Sequence, residues 1–284
     1  MPNLLFPSVS SVSQCLSGGC SVPMTAMSAM TRDDVDSWLL LYFSPRMKVF
    51  VIIPAAGLGT RMAPAGKKAA ASKQFVEING APILIHTLRA FARNHQVSEI
   101  VVALRQTEME QVRALLEKEK LAGKVTLVEG GEHRQQSVGN ALAQIAAAAG
   151  DVVLVHDAVR PFVDDEIISA VIGEVEKHGA AIAGVPAVDT IKQVERTADG
   201  ALITSTIPRE RVVQAQTPQG FRYELIQRAF ASAAADGFMG TDEASLVERL
   251  GDSVWVVMGS PRNIKITTPA DLELAEFLMS KAHR

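Results

Sequence analysis

Residues 49–62 constrain the fold of this chain more than any other stretch, because they join an apolar run to a loop with little side-chain bulk. The run at 49–53 is apolar throughout and mostly β-branched, which is typical of a strand covered on both faces in a parallel sheet. Pro54 has no N–H group to donate to a neighbouring strand, so it marks the end of the run. The sequence therefore predicts an α/β protein whose sheet is built around this strand.

The loop after Pro54 has the composition of a phosphate-binding loop. Its small residues are Ala55, Ala56, Gly57 and Gly59. Such a backbone can approach a phosphate closely and point its N–H groups at it. Arg61 adds a fixed fork of donors and Lys73 a mobile point charge, so the stretch predicts a triphosphate site. An ordinary tight turn is the alternative.

Two better-known glycine-rich motifs do not fit this loop. A dinucleotide-binding fingerprint needs Gly or Ala three residues after Gly59, where this chain has Met62. A Walker loop needs Gly-Lys-Ser or Gly-Lys-Thr, whereas Gly66 is followed by Lys67 and Lys68. The sequence thus points to a different way of holding a nucleotide.

Runs with strand and helix patterns alternate along the rest of the chain. Strands are predicted at 98–104, 124–129, 151–156, 180–185 and 253–258, and helices at 107–120, 135–149, 164–177, 223–235, 242–250 and from 269 onward. This alternation predicts a mostly parallel, Rossmann-like sheet with helices on both faces. Residues 190–194 and 201–204 flank Asp199-Gly200 and predict a protruding β-hairpin that interrupts the alternation.

Ligands of open α/β sheets bind at the carboxyl ends of strands, so the loops there hold the next candidates. After the third predicted strand, Gly130, Gly131 and Ser137 could present backbone and hydroxyl groups to a base, with simple helix capping as the alternative. After the fourth, Asp157 could hold Mg²⁺ directly or through water. An ion pair between Asp157 and Arg160 is the alternative there.

Three candidates come later in the chain, and two of them have a structural interpretation beside the functional one. Thr217 begins a Thr-Pro-Gln stretch. Thr241 precedes Asp242, and together they also fit the start of a helix. Lys265 alternates with isoleucines, which fits an exposed lysine on a strand equally well.

Taken together, these motifs resemble one family over residues 48–281, the 2-C-methyl-D-erythritol 4-phosphate cytidylyltransferases of the non-mevalonate isoprenoid pathway. The resemblance implies an enzyme that makes 4-diphosphocytidyl-2-C-methyl-D-erythritol and pyrophosphate from CTP and the methylerythritol phosphate. It also implies a divalent cation, Mg²⁺ or another, as cofactor. Finally, it implies a twofold homodimer whose hairpin arm, at about 187–210, serves the partner's site.

The resemblance assigns roles to individual residues. The catalytic cations at the α-phosphate would be Arg61 and Lys73. The acceptor-positioning residues would be Arg209, Lys265, Thr190, Thr217 and Thr241, with Arg211 as an alternative to Arg209. The nucleotide-binding residues would be Ala55, Ala56, Gly57, Gly59, Gly130, Gly131, Arg134, Ser137 and Asp157, and Asp157 is also the candidate metal ligand.

The chain departs from the family pattern next to the catalytic lysine. The family usually has Pro before its Lys-Gln pair, where this chain has Ser72. The loop at 63–72 is also longer than is common. Because that loop adds Lys67 and Lys68, either could replace Lys73 at the phosphates.

Three other functions remain open on the residues alone. A cytidylyltransferase for another polyol phosphate, such as ribitol 5-phosphate, would share the loop and Asp157 and differ in the acceptor pocket. A non-catalytic nucleotide-binding module of the same fold would be expected to lose some of the charged site residues, which are all present. A nicotinamide-dependent oxidoreductase is disfavoured by Met62.

Composition limits partners and location. A net charge of −3 offers no basic field for nucleic acid or for an anionic membrane. The two cysteines, Cys15 and Cys20, both precede residue 47, so a disulfide framework is not expected in the body of the protein. This composition favours a reducing, cytoplasmic compartment.

Residues 1–46 differ from the rest of the chain. They are rich in Ser, Pro and Met, have no Lys or Arg before Arg32, and contain an apolar run at 38–43 that is too short to cross a bilayer. We expect a disordered or mis-started extension, with a targeting peptide as the alternative. Residues 47–284 are predicted to be the cytidylyltransferase domain.

Overall fold

The computed structural model describes residues 47–57 and 72–282. The chain divides between Arg46 and Met47, and all of these residues belong to the second unit, Met47–Arg284. The predicted extension at 1–46 and nearly all of the predicted loop at 63–72 lie outside the described residues. The functional domain boundaries therefore stay a prediction.

The described strands form a seven-stranded sheet, a short two-stranded pair and a hairpin. In chain order they are β1 (Val49–Pro54), β2 (Glu77–Ile78), β3 (Ala81–Pro82), β4 (Val97–Leu104), β5 (Val125–Glu129), β6 (Val152–Val155), β7 (Ala180–Pro186), β8 (Ile191–Thr197), β9 (Gly200–Ile207), β10 (Val213–Arg222) and β11 (Trp255–Met258). The large sheet has the order β11-β7-β10-β6-β1-β4-β5. All of its pairings are parallel except those of β10 with β6 and β7. The predicted, mostly parallel sheet is confirmed.

Helices pack on both faces of this sheet. In chain order they are α1 (Ile83–Arg93), α2 (Met109–Lys118), α3 (Arg134–Leu142), α4 (Asp165–His178), α5 (Tyr223–Ala235), α6 (Glu243–Arg249) and α7 (Pro269–Ala282). Apolar residues of α1, α2 and α4 share one buried cluster, and those of α3, α5 and α6 share another. The predicted covering of both faces is therefore confirmed.

β1 is an interior strand of the sheet and contributes to both apolar clusters. It pairs in parallel with β4 on one side and β6 on the other. Val49, Val51 and Ile53 pack in the first cluster, while Phe50 and Ile52 pack in the second. Because side chains alternate across a strand, only a strand that is apolar at every position can fill two cores in this way.

β10 is the longest strand that the sequence pattern did not predict. Its polar residues Gln216 and Gln219 are buried, so the strand lacks the apolar alternation that marks most strands. Pro218 would also argue against a central strand, but the ladder to β7 is irregular between Ala215 and Gln219. The proline therefore lies where the regular pairing with β7 is interrupted.

The predicted helix at 135–149 is too long, because α3 ends at Leu142. The alanines that follow favour helix, but Asp151 holds this segment in another arrangement. Asp151 Oδ2 accepts a hydrogen bond from the backbone N–H of Ala148, and its Oδ1 accepts one from Lys48, directly before β1. Tertiary contacts to the central strand thus override local helix propensity.

The predicted hairpin is present as β8 and β9, which pair only with each other in the described sheets. Its turn contains Gly200 with a φ of 144°, a conformation that favours glycine. Leu202 and Ile203 are 62% and 58% exposed, so the hairpin does not bury its own apolar side chains. Separately, none of the helices in the described part of the chain has the length and apolar character of a membrane crossing.

Candidate active site

A cavity of about 280 Å³ opens at the carboxyl ends of β1 and β6, beside the start of α3. The structure brings together nine of the predicted site residues around it: Ala55, Ala56, Gly57, Lys73, Gly131, Arg134, Ser137, Asp157 and Lys265. Gly59 and Arg61, with the alternatives Lys67 and Lys68, lie outside the described residues. The cavity occupies the position that the general rule for open α/β sheets predicts.

The small residues after β1 form one wall of this cavity. The backbone N–H of Ala55 donates to Ala103 O, at 2.7 Å, which continues the pairing with β4 beyond Pro54. Gln74 Nε2 donates to Ala55 O, at 2.6 Å. These two hydrogen bonds thus fix the backbone at Ala55, directly after β1.

Lys73 begins a short 3₁₀ helix, Lys73–Phe75, and its side chain lines the cavity. Ser72 directly before it has φ −66° and ψ 138°. Proline adopts these same angles, so the departure from the family pattern at Ser72 keeps the backbone conformation that the usual proline would have.

The turn before α3 approaches β1 so closely that it requires glycine. A Cβ atom on Gly130 would lie 2.5 Å from the Cβ of Ala56. Ser137 holds the turn: its Oγ accepts from the N–H of Gly131, at 3.0 Å, and donates to His133 O, at 3.1 Å. The N-cap residue of α3 is His133, which makes no side-chain capping bond, so Ser137 stabilises the turn from inside the helix.

Asp157 is the charged centre of the cavity floor. It is 7% exposed, and three cations reach its carboxylate. Lys265 Nζ lies 2.9 Å and Arg160 Nε 3.1 Å from Oδ2, and Arg134 Nε lies 3.5 Å from Oδ1. Burial alone would raise the pKa of this carboxyl, but the three cations hold that pKa well below its usual range.

The contact with Asp157 shows that one interpretation of Lys265, an exposed lysine on a strand, is wrong. Residues 264–267 are not in a strand, and the Lys265 side chain points to Asp157 instead of lying on an exposed strand. Arg160 Nη1 donates to Asn263 O, at 2.7 Å, which ties the turn after β6 to the segment that carries Lys265. The Asp157–Arg160 ion pair that the sequence left open is therefore present, and it forms part of the site.

Arg134 connects Asp157 to a second buried carboxylate, Glu243. Arg134 Nη1 lies 2.7 Å from both oxygens of Glu243, whose side chain is almost completely buried. Burial raises the pKa of Glu243, and the charge and hydrogen bond of Arg134 oppose this effect. The Arg134 guanidinium is thus fixed between α6 and the end of β6.

Hydrogen bonds from β10 fix the start of α6 and therefore Glu243. Gln219 Nε2 donates to Asp242 Oδ2, at 2.8 Å, and Gln219 Oε1 accepts from the N–H of Ala244, at 3.1 Å. Asp242 is also the N-cap of α6, since its Oδ1 accepts from the N–H of Ser245, at 3.0 Å. The helix-start interpretation of this stretch is correct, and the same helix start supports the cavity.

His156 and Thr217 support the turn that carries Asp157 from beneath. His156 is completely buried, and burial lowers its pKa to about 4, so the ring is neutral near pH 7. Its Nε2 donates to Arg160 O, at 3.0 Å, which leaves Nδ1 to accept from the Thr217 hydroxyl, also at 3.0 Å. The Thr217 oxygen in turn accepts from the N–H of Asp157, at 3.1 Å. Thr217 therefore contacts the site through Asp157, with its hydroxyl already bonded on two sides.

The other predicted acceptor residues do not line the cavity of this single chain. Thr190, Arg209 and Thr241 are exposed. Arg209 Nη1 donates to Val188 O, at 2.9 Å, at the base of the hairpin. Arg211, the alternative to Arg209, is exposed as well.

The donor set allows a divalent cation only together with substrate. No group of three His, Cys, Asp or Glu side chains within 47–57 and 72–282 could hold a metal ion. A single carboxylate beside substrate phosphates is, however, a common way of holding Mg²⁺. Asp157 fits that requirement, although Lys265 and Arg134 already contact its two oxygens.

Sequence reasoning did not single out two residues that the structure places at the site. Glu243 falls within the helix predicted at 242–250, and its partner Arg134 lies 109 residues away. Gln74 directly follows Lys73. A Gln beside a lysine, and a Glu in the first turn of a helix, give no local sign of the contacts they make.

A mostly parallel sheet, a small-residue loop after its central strand and a cation-lined cavity define the class of the protein as a nucleotidyltransferase. The family model described as IspD, 2-C-methyl-D-erythritol 4-phosphate cytidylyltransferase, matches residues 49–281. The chain belongs to this family.

Individual relatives agree with the family match. A 2-C-methyl-D-erythritol 4-phosphate cytidylyltransferase of Acidobacterium capsulatum is 62% identical over 233 residues, which cover 82% of this chain and 98% of that protein. One of Solibacter usitatus is 53% identical over 241 residues, covering 84% and 98%. The crystal structure of the 4-diphosphocytidyl-2C-methyl-D-erythritol synthase of Anaerococcus prevotii superposes with a TM-score of 0.70 at 30% identity, covering 82% of this chain and 96% of that chain.

Proposed function

We propose that this chain transfers CMP from CTP to 2-C-methyl-D-erythritol 4-phosphate and releases pyrophosphate. The observation that carries the proposal is one cavity in which the small-residue end of β1 meets Lys73, Arg134 and Lys265 beside Asp157. Membership of the family supports the identity of both substrates.

In this reaction an oxygen of the acceptor phosphate attacks the α-phosphorus of CTP. A bond forms between that oxygen and the α-phosphorus, the bond to the bridging oxygen breaks, and its electron pair leaves with pyrophosphate. Because the nucleophile is already an anion, a general base is not required. The barrier comes mainly from bringing two anionic phosphates together, and cations that are fixed in advance lower it.

Each cation has a separate part in this scheme. Lys73 and Arg61 neutralise the charge that builds on the α-phosphate and the leaving group. Lys265, held 2.9 Å from Asp157, positions the acceptor phosphate together with Arg209. Thr190, Thr217 and Thr241 complete the acceptor side, Thr217 through its bond to Asp157.

The nucleotide lies against the backbone of residues 55–57 and the Gly130-Gly131 turn. Arg134 contributes charge on this side of the cavity. Ser137 contributes by holding the turn, since its hydroxyl already bonds Gly131 and His133. A divalent cation, Mg²⁺ by preference, would be held by Asp157 and the triphosphate and would withdraw negative charge from the phosphates.

The enzyme acts as a twofold homodimer through the hairpin β8–β9. A two-stranded hairpin is marginal in water by itself, and this one exposes Leu202 and Ile203. Burial against a second copy would cover them and carry Arg209 and Thr190 to the partner's cavity, an isologous arrangement. A cytoplasmic location follows from the same proposal and from a body without cysteine.

Pyrophosphate release tests the function directly. The wild-type chain with CTP and Mg²⁺ should release pyrophosphate with 2-C-methyl-D-erythritol 4-phosphate and much less with ribitol 5-phosphate. Lys73→Ala should lower turnover by about 10²- to 10³-fold, as loss of one oxyanion-hole donor does. Lys67→Ala and Lys68→Ala are the matched controls. If Lys73→Ala kept near-normal turnover while Lys67→Ala or Lys68→Ala lost it, the assignment of Lys73 would be wrong.

Two further measurements test the acceptor-positioning residues and the shared site of the dimer. Lys265→Ala and Arg209→Ala should raise the KM for the acceptor more than the KM for CTP, and equal effects on both would argue against their assignment. Mixing inactive Lys73→Ala subunits with inactive Arg209→Ala subunits should restore activity, because each heterodimer then has one intact site. Confirmed subunit exchange without any rescue would contradict a shared site.

A further inference from the structure

The residue before Lys73 is clamped by a partly buried ion pair, in which the Arg105 side chain is 35% exposed and that of Glu108 is 11% exposed. Ser72 is 7% exposed, and its hydroxyl donates to Glu108 Oε1, at 2.8 Å. Arg105 Nη2 donates to the Ser72 oxygen and, at 2.5 Å, to the same oxygen of Glu108. Arg105 follows the last residue of β4, so the clamp attaches Ser72 to the end of that strand.

The residue after Lys73 is held from the other side. Gln74 is 2% exposed, and its Nε2 donates to the carbonyl oxygen of Ala55, at 2.6 Å. Ala55 follows the last residue of β1, and β1 pairs in parallel with β4. Lys73 is thus flanked by two side chains that bond the residues directly following two adjacent interior strands, β1 and β4.

Stability alone gives a weak reason for such a clamp. An ion pair that is only partly buried contributes little to folding, because solvent screens its attraction and its charges lose part of their hydration. Here Glu108 Oε2 and Arg105 Nε are buried without a hydrogen-bond partner among the residues that the structure describes, which adds to that cost. What the clamp does provide is one fixed position for Ser72, and therefore for the backbone of Lys73.

We propose that Arg105 and Glu108 are positioning residues for Lys73, acting through Ser72. This inference rests on the proposed part of Lys73 in cytidylyl transfer. A cation that stabilises charge only in the transition state must be in place before the reaction, and a misplacement of about 1 Å can cost on the order of 10²-fold in rate. The clamp supplies that placement from β4, where the family's usual proline would supply only a restricted φ.

The test compares two glutamates that form the same type of ion pair. Glu108→Gln removes the charge from the clamp and keeps its shape. Glu110→Gln is the matched control, since Glu110 pairs with Arg113 at the same i,i+3 spacing on the exposed face of α2. We expect Glu108→Gln to lower kcat by about tenfold or more with little change in the KM for CTP, and Glu110→Gln to leave both unchanged.

A double-mutant cycle distinguishes positioning from a general loss of structure. In the Lys73→Ala background the lysine amine is gone, so Glu108→Gln should cause no further loss of the residual turnover. Ser72→Ala should reproduce the loss without touching either charge, and Ser72→Thr, which keeps the hydroxyl, should restore most of kcat. If Glu108→Gln disturbs folding, as judged by circular dichroism, the Ser72 pair still decides the question.

Different negative results would contradict the positioning role, the assignment of Lys73 and the proposed cytidylyl transfer. A normal kcat for both Glu108→Gln and Ser72→Ala, or an equal loss with and without Lys73, would overturn the positioning role. Normal turnover in Lys73→Ala would instead overturn the assignment of the catalytic lysine. Absence of pyrophosphate release by the wild-type chain would overturn the proposed function, and the inference with it.

Discussion

The buried pair of Arg134 and Glu243 allows a quantitative prediction. Glu243 is 1% exposed, and Arg134 Nη1 lies 2.7 Å from both of its oxygens. Removing one partner of a buried ion pair leaves the other charge uncompensated and typically costs about 3–5 kcal/mol. The Arg134 side chain is 30% exposed and keeps Asp157 as a second partner. We therefore expect Glu243→Gln to lower the free energy of unfolding by the lower figure, about 3 kcal/mol.

Thermal and chemical denaturation measure this change. For a unit of this size, 3 kcal/mol corresponds to a fall in Tm of about 6–12 °C. Asp252→Asn is the matched control, because Asp252 forms an exposed ion pair with Arg228, at 2.8 Å. An exposed pair contributes less than about 1 kcal/mol, so this variant should unfold near the wild-type temperature.

A double variant tests the reason for the loss. Arg134→Gln combined with Glu243→Gln removes both buried charges, so it should be less destabilised than the sum of the single variants. If Arg134 contributes to the nucleotide side as proposed, the KM for CTP should rise in Glu243→Gln, because Arg134 then keeps only Asp157 of its two ion-pair partners. A change below about 1 kcal/mol in Glu243→Gln, or strict additivity in the double variant, would refute the argument.

Three further predictions follow from other parts of the fold. A chain beginning at Met47 should be folded and active, since Lys48 already bonds Asp151 at the start of β1; a marked loss of Tm on truncation would contradict this. Gly130→Ala should lower both Tm and turnover, because the new methyl group would lie 2.5 Å from Ala56, and unchanged values would show that the turn can relax. Thr217→Val should cost about 1–3 kcal/mol in urea unfolding by leaving the N–H of Asp157 without its partner, whereas Thr217→Ser should cost much less.

Much of the fold could be predicted because its main elements have strong local patterns. The run at 49–53 gave the central strand, and the alternation after it gave the parallel sheet. α1 carries the same kind of signal, with Leu84, Leu88 and Phe91 on one buried face, but the sequence reasoning assigned it no element. β10 differs, since its burial depends on hydrogen bonds of Gln216 and Gln219 that no local pattern reveals.

Some residues of the cavity could be predicted because a particular residue type was expected there, whereas others are present because of a partner elsewhere in the fold. Glycines and cations are the residue types expected at a phosphate site, so Gly57, Lys73 and Lys265, which line the cavity, could be proposed from the sequence. Glu243 could not, because it acts on Arg134 from a distant part of the chain and its neighbour Asp242 already explains the local sequence as a helix start. A stretch that starts a helix can therefore also support the site, as Asp242 and Glu243 do.

The positive character of the cavity is a product of folding and not of composition. The chain as a whole carries a net charge of −3, which by itself would repel two phosphate substrates. Around the floor of the cavity, however, Arg134, Arg160 and Lys265 meet one carboxylate of Asp157, and Glu243 balances only one of these cations. With Lys73 and Glu132 at the wall, the described residues of the site still retain excess positive charge, in a partly buried place where that charge is weakly screened. Among the described residues, this arrangement favours anions at the cavity where the proposed reaction requires cations.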